Sequence, residues 1–535
     1  MAIRRLLVAN RGEIAVRVCR TCERLGIETV AVVAPDDRAG LHGRVAGDVA
    51  EVASYLDAGE HVRAALETGA DAIHPGYGFL AESATFAERV LEAGLTWVGP
   101  PPEALRRGGE KLEAKRIAAA AGVPTLPAGT PEEVGLPLLV KAAAGGGGRG
   151  MRIVRHRHEL SAALDAATRE AEAAFGDGAT YCERLLERPR HVEAQLLAHP
   201  AGVELLGLRD CSVQRRHQKV LEESPPPALH PSVAEQLGAA AVAFAEAIGY
   251  RSLGTAEFLV DGTEAWFLEL NGRIQVEHPV TEEVTGLDLV ELQLRVAAGE
   301  DVELPQLLPT GHAIEVRLYA EDPVSFLPRS GRIERLELPG TVRVDAGVAV
   351  GDDVGTRYDP LLAKLVAHGP TRAQALARLE EALAATVVDG VETNLPFLRW
   401  LVRHPVVRSG RATTAFLTEH PPLSRPPRPP SGAWARPWRL NLPAPPPSGP
   451  PDVDAAAAEH ATHGSSVVAS PLPGTVLAVE VREGDAVEAR QRLLVVEAMK
   501  MEHPVTAPFA GTVAAVTVAV GDTVAAGATL VELEA

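Results

Sequence analysis

The stretch GTAEFLVDGTEAWFLELNGRIQVEHPVTE, residues 254–282, decides how the rest of this chain is read. Glu257 and Glu269 lie on strand-like runs, and Asn271 follows closely. On a solvated surface two carboxylates would be unremarkable. Here AEFLV and WFLEL surround them with apolar side chains and bury the strands, so their charges need a partner. A hard divalent cation meets that need, because Mg2+ takes carboxylate oxygens together with phosphate oxygens.

Upstream, LLVKAAAGGGGRGMRIV (residues 138–154) sets Gly145, Gly146, Gly147 and Gly148 shortly after Lys141. Glycines let backbone N–H groups approach a phosphate without a Cβ in the way, and the lysine adds a point charge. The spacing is not G-x-x-x-x-G-K-[ST], so a P-loop is excluded. Alone, such a run between strands fits a plain loop equally well. Its company decides: GEK at 109–111 and RDCSVQRRHQKV at 209–220, besides the opening stretch.

At 535 residues the chain is long enough for three or four domains. A net charge of −19 argues against a general nucleic-acid or anionic-membrane binder. No apolar run approaches a membrane span, and MAIRRLLVANRGE is too short in apolar residues for a signal peptide. Four cysteines make no disulfide framework, which points to a reducing cytoplasm. Cys19 and Cys22 form a C-x-x-C inside an amphipathic pattern, and helix packing is the expected role. RRLLVANRGEIAVRVCRTCERLGIETVAVV reads strand, glycine turn, helix, strand, and alternating α and β patterns continue to about residue 420.

Composition then breaks. Residues 421–451 hold 13 of the 42 prolines, too many for a helix or central strand. Those 31 residues make a semi-rigid linker reaching roughly 95 Å if fully extended. Beyond it, GTVLAVEVREGDAV from Gly474 and GTVAAVTVAVGDTV from Gly511 repeat with an offset of 37 residues. Alternating apolar residues broken by Gly-Asp turns predict a small β-sandwich with quasi-twofold symmetry. Lys500 lies between the copies, flanked by Met499 and Met501 in EAMKM. The whole chain has only six lysines among 52 basic residues, so arginine serves wherever plain charge suffices. A guanidinium cannot replace a primary amine chemically, which marks the retained lysines for scrutiny.

These motifs, in this order, resemble biotin carboxylases of the ATP-grasp class fused to a biotin carrier, as in the α-chain of an acetyl- or propionyl-CoA (acyl-CoA) carboxylase. The resemblance implies an α/β and α+β ATP-grasp architecture followed by a small all-β biotinyl/lipoyl-like sandwich. The expected boundaries are an N-terminal α/β domain at 1–110, the ATP-grasp domain at 111–320, and a C-terminal carboxylase domain at 321–420. A linker at 421–465 and the carrier at 466–535 complete the chain. EAMKM resembles the biotin-attachment site, which makes Lys500 the covalent biotin carrier. Lys111 and Lys141 match phosphate-contacting lysines, and the glycine loop a mobile lid. Glu183, Arg184 and Leu186 match the adenine contacts, His191 a residue near the ribose, and Gln214 and His217 further nucleotide positions. Glu257, Glu269 and Asn271 match the Mg2+ (or Mn2+) site. Lys219, Arg273 and the Val276 backbone match the bicarbonate cradle. Glu277 matches the base, and Arg343 an arginine that stabilises the biotin enolate. Ala144 and Gly272 depart from the family pattern without removing a functional side chain; they bear on rate.

The resemblance further implies a separate carboxyltransferase (β) subunit, a biotin protein ligase, and homo-oligomers within a larger complex. No acceptor domain is expected, because about 45 linker residues cannot hold one. The same half-reaction serves methylcrotonyl-CoA-, pyruvate- and urea-carboxylase-type systems. A non-catalytic biotin carrier is the reading from another class; the retained set Lys111, Lys141, Lys219, Glu257, Glu269, Arg273 and Glu277 argues against it.

Overall fold

The computed structural model describes residues 2–143, 151–175, 178–215, 218–304, 309–355, 357–421, 465–472, 474–498, 501–525 and 527–534. The readings for Gly145–Gly148, His217, Lys500 and the linker at 422–464 therefore lie outside the described residues.

Strand–helix alternation at the N-terminus builds a parallel sheet, since parallel neighbours require a crossover. Its order is Asp48–Glu51, Glu28–Val33, Arg5–Val8, Ala72–His74, Thr96–Trp97. The helix Gly12–Leu25 packs Ile14, Val18 and Cys22 against Leu6 and Val8. Cys19 and Cys22 are free and buried there. Burial pushes their thiols up to about 11 and about 12, which suits packing and not thiolate chemistry.

The centre is an eight-stranded antiparallel sheet. From one edge its strands are Glu264–Asn271, Ser252–Asp261, Arg190–His199, Gly202–Arg215, Gln218–Ser224, His312–Tyr319, Leu361–Gly369 and Arg343–Ala346. The sheet runs continuously across the expected boundary at 320/321, because His312–Tyr319 pairs with Leu361–Gly369. On one side Val192, Ala194 and Leu196 join Phe244, Phe258 and Phe267 in a core under the helix Pro231–Ala247. Alternation sends His191, Glu193 and Gln195 to the opposite face. A smaller four-stranded sheet carries Leu138–Ala142 beside Thr180–Arg184.

The C-terminal repeat forms two four-stranded sheets, as its symmetry predicted. The two copies lock onto each other. Gly484 N–H donates to Val513 O and Gly521 N–H to Val476 O, both at 2.8 Å. A Cβ on Gly474 would strike the Glu497 carbonyl oxygen, and one on Gly511 would strike that of Glu534. All these positions are 37 residues apart. No helix among the described residues is long and apolar enough to cross a membrane.

Candidate functional site

Register assembles the site. Glu257 and Glu269 stand directly opposite each other in the antiparallel pair, as the two strand runs in the opening stretch allowed. On its other side Glu257 faces Glu193, which in turn faces Arg209. Four charged groups thus line one polar face of buried strands.

Lys219 is the hub. Its Nζ donates to Glu193 Oε2, Glu257 Oε1 and Glu277 Oε1, each at 2.7 Å. Burial works against its charge, but the three carboxylates outweigh burial and push its pKa well up. Glu277 is the N-cap residue of the helix His278–Thr285, and its Oε2 accepts from the Arg317 guanidinium at 2.9 Å. Burial alone would raise its carboxyl; Lys219, Arg317 and Arg209 hold it well below the usual range. It is an ionised, oriented carboxylate.

Around it, Arg273 donates to Asn271 Oδ1 at 3.0 Å and to Gln275 Oε1 at 2.6 Å. Gly272 N–H donates to Glu82 Oε1 at 3.0 Å, and the Arg273 Nε to Glu82 Oε2 at 3.3 Å. A Cβ on Gly272 would lie 2.7 Å from Leu105 Cδ2, so the end of that leucine side chain would have to shift to admit one. The Val276 carbonyl accepts from Lys364 at 2.8 Å.

The residues expected from the sequence to contact a nucleotide fall into two groups. Gln214 lies 2.7 Å from His191 Nδ1, and His191 Nε2 lies 2.8 Å from Glu257 Oε2, so these join the Lys219 hub. Separately, the ammonium groups of Lys141 and Lys115 grip the two oxygens of Glu183. Burial, with Lys115 and Lys111 nearby, pushes Lys141 down to about 7. Burial and Lys111 push Lys115 down to about 8. Leu186 is half-buried and Arg184 exposed just beyond Glu183.

Arg343 pairs with Glu282 at 2.8 Å, Asp345 at 2.9 Å and Glu283 at 3.5 Å. The sequence reading missed Glu193, Lys115, Glu82, Gln275 and Arg317. A signal existed for two of them: in RHVEAQLL and HAIEVRLY, charged residues alternate with apolar ones along strands buried on both faces.

The residues fit a divalent cation. Burial raises the Glu269 carboxyl, and the neighbouring Glu257 charge raises it further, although Lys111 and Lys141 pull the other way. Two carboxylates and the Asn271 amide supply the oxygen donors Mg2+ prefers.

Known proteins match this architecture. A model described as biotin carboxylase, N-terminal domain, matches residues 2–105, and its C-terminal counterpart matches 315–419. The carbamoyl-phosphate synthase L chain, ATP binding domain, matches 120–305, and the biotin-requiring enzyme model matches 466–533. A biotin carboxylase of Halalkalibacterium halodurans is 46% identical over 443 residues, 78% of this chain and 98% of its own. The biotin-dependent acyl-coenzyme A carboxylase alpha3 subunit of Mycobacterium leprae is 41% identical over 565 residues, 94% of each chain. A crystal structure of the biotin carboxylase domain dimer of Hydrogenobacter thermophilus 2-oxoglutarate carboxylase, with MgADP, ADP and bicarbonate, superposes with a TM-score of 0.77. It is 42% identical and covers 79% of this chain and 98% of that one.

Proposed function

This chain belongs to the biotin carboxylase family, an ATP-dependent ligase with a biotin carrier domain on the same polypeptide, and on that footing we propose how its residues share the work. The observation that carries the reading is the Lys219 hub, a single ammonium between the Glu277 base and the Glu257 carboxylate. Bicarbonate enters beside Lys219 and Arg273, which neutralise its charge. Glu277 accepts its proton, and the bicarbonate oxygen attacks the γ-phosphorus of ATP, releasing ADP and leaving carboxyphosphate. Such transfer is mainly positioning and charge neutralisation. Lys111 and Lys141 hold phosphates, with Glu183, Arg184 and Leu186 toward the adenine and His191, Gln214 and His217 toward the rest of the nucleotide. Glu257, Glu269 and Asn271 would hold Mg2+, which would supply positive charge to the phosphates. Biotin on Lys500 supplies the nitrogen that receives the carboxyl group. Arg343, exchanging its Glu282 and Asp345 partners, faces the negative oxygen of that reaction.

The division into 1–110, 111–320, 321–420, 421–465 and 466–535 goes with this reading: three units load the biotin, and the last carries it along the linker. The acceptor is an acyl-CoA, acetyl- or propionyl-CoA, bound by a separate carboxyltransferase subunit. Support comes from the M. leprae acyl-CoA carboxylase subunit, matched over 94% of its length, against 60% for a rice methylcrotonoyl-CoA carboxylase subunit alpha. Homo-oligomers in a cytoplasmic complex and modification by a biotin protein ligase belong to the same proposal. ATP cleavage with and without bicarbonate tests it; cleavage indifferent to bicarbonate would refute the role of the hub.

A further inference from the structure

We propose that Lys115 is the positioning residue for Glu183: it stays on that carboxylate when Lys141 turns to the phosphates of ATP, so Lys141 can leave without stranding a buried charge. The inference rests on the reading of Lys141 as a phosphate ligand. It starts from a carboxylate with two cations. Lys115 holds Glu183 Oε1, Lys141 holds Oε2, and all three side chains are buried.

The two lysines arrive from different elements. Lys141 lies on the strand Leu138–Ala142, which pairs with the strand Thr180–Arg184 that carries Glu183. Lys115 comes from the helix Lys111–Ala120. Lys111 and Lys115 are four residues apart and share one face of that helix. Lys111 is half-buried at the helix start, whereas Lys115, one turn further in, is only 7% exposed. The Lys115 Nζ also lies over the Tyr181 ring, 6.0 Å from its centre. Tyr181 faces Lys141 across the ladder. Carboxylate and aromatic face together favour the ammonium where it stands.

Charge then divides the roles. Before ATP binds, Glu183 balances both ammonium groups. An incoming phosphate competes with it for Lys141. Were Lys141 the sole partner, its departure would leave an unpaired carboxylate at a position 1% exposed, and ATP affinity would fall by that cost. With Lys115 in place the carboxylate stays paired and oriented. The like charge of Lys115 also favours movement of Lys141 toward the phosphate.

Steady-state bicarbonate-dependent ATP cleavage tests this with Lys115→Met, Glu183→Gln, the double variant Lys115→Met/Glu183→Gln, and Lys141→Met in parallel. Lys115→Met should raise KM for ATP at least about tenfold and leave kcat within about threefold. In the Glu183→Gln background the same substitution should change KM for ATP by less than about threefold, because no carboxylate remains to be stranded. That comparison decides the matter even where Lys115→Met alone fails to fold. A rise of about tenfold in both backgrounds overturns the proposal, since Lys115 would then act on the nucleotide itself. Lost kcat and thermal stability with KM for ATP unchanged, the mark of a general structural defect, also overturns it. If Lys141→Met raises KM for ATP while Lys115→Met leaves it unchanged, only this inference fails. If Lys141→Met leaves KM for ATP unchanged, the phosphate assignment itself fails.

Discussion

Lys219 Nζ and Glu277 Oε1 lie 2.7 Å apart, in a site where the same ammonium also serves Glu193 and Glu257. In the proposed role of base, a carboxylate held this way is ionised but weak until its cation moves. Glu277→Gln keeps the shape and removes proton acceptance. Bicarbonate-dependent ATP cleavage should fall by about 10²–10⁴-fold while nucleotide binding stays near wild type. Unchanged turnover would assign the proton to another group.

The lysine pair at Glu183 predicts a pH dependence. Burial and its neighbours hold Lys141 at about 7 in the nucleotide-free protein. Phosphate brings opposite charge and raises that value, so binding takes up protons. ATP affinity should therefore fall as pH rises from about 7 to about 9, by at most about tenfold per unit for one proton. Calorimetry in buffers of different ionisation enthalpy measures the uptake; zero uptake near pH 8 would show that Lys141 is already fully charged.

Much of this was legible in the sequence. Glu257 and Glu269 were readable as carboxylates on two adjacent strand runs, but their direct opposition depends on a register shift between Glu257 and Phe258 that periodicity does not specify. The repeat offset gave the sandwich, because Gly474 and Gly511 meet the same obstruction at Glu497 and Glu534. Arg343 was not legible in the same way. Its partner Asp345 lies two residues along the same strand, but Glu282 comes from a helix whose approach no local pattern specifies. Glu82 reaches Gly272 across 190 residues for the same reason.

Gly272 shows how packing between units sets a residue choice. Gly272→Thr should destabilise the protein by about 1–3 kcal/mol, because its Cβ meets Leu105. Leu105→Ala opens that space, so the double variant should lose less than the sum of the two singles. Strict additivity in thermal or denaturant unfolding would mean that Leu105 is not the obstacle.

Ala498 and Met501 are paired across adjacent strands of the carrier. With a biotin ligase present, intact mass should show one biotin adduct, and Lys500→Arg should abolish it. An adduct surviving in that variant would place the biotin elsewhere.

The central claim is that this chain loads its own biotin and hands the carboxyl group to a site on another subunit. Purified biotinylated protein, given ATP, Mg2+ and labelled bicarbonate, is the direct test. Label should accumulate on the protein, depend on ATP, and vanish in Lys500→Arg and Glu277→Gln. Acetyl- or propionyl-CoA should become labelled only after a carboxyltransferase subunit is added. Biotinylated protein that takes up no label, or labelled acyl-CoA formed by the single chain, would contradict the account.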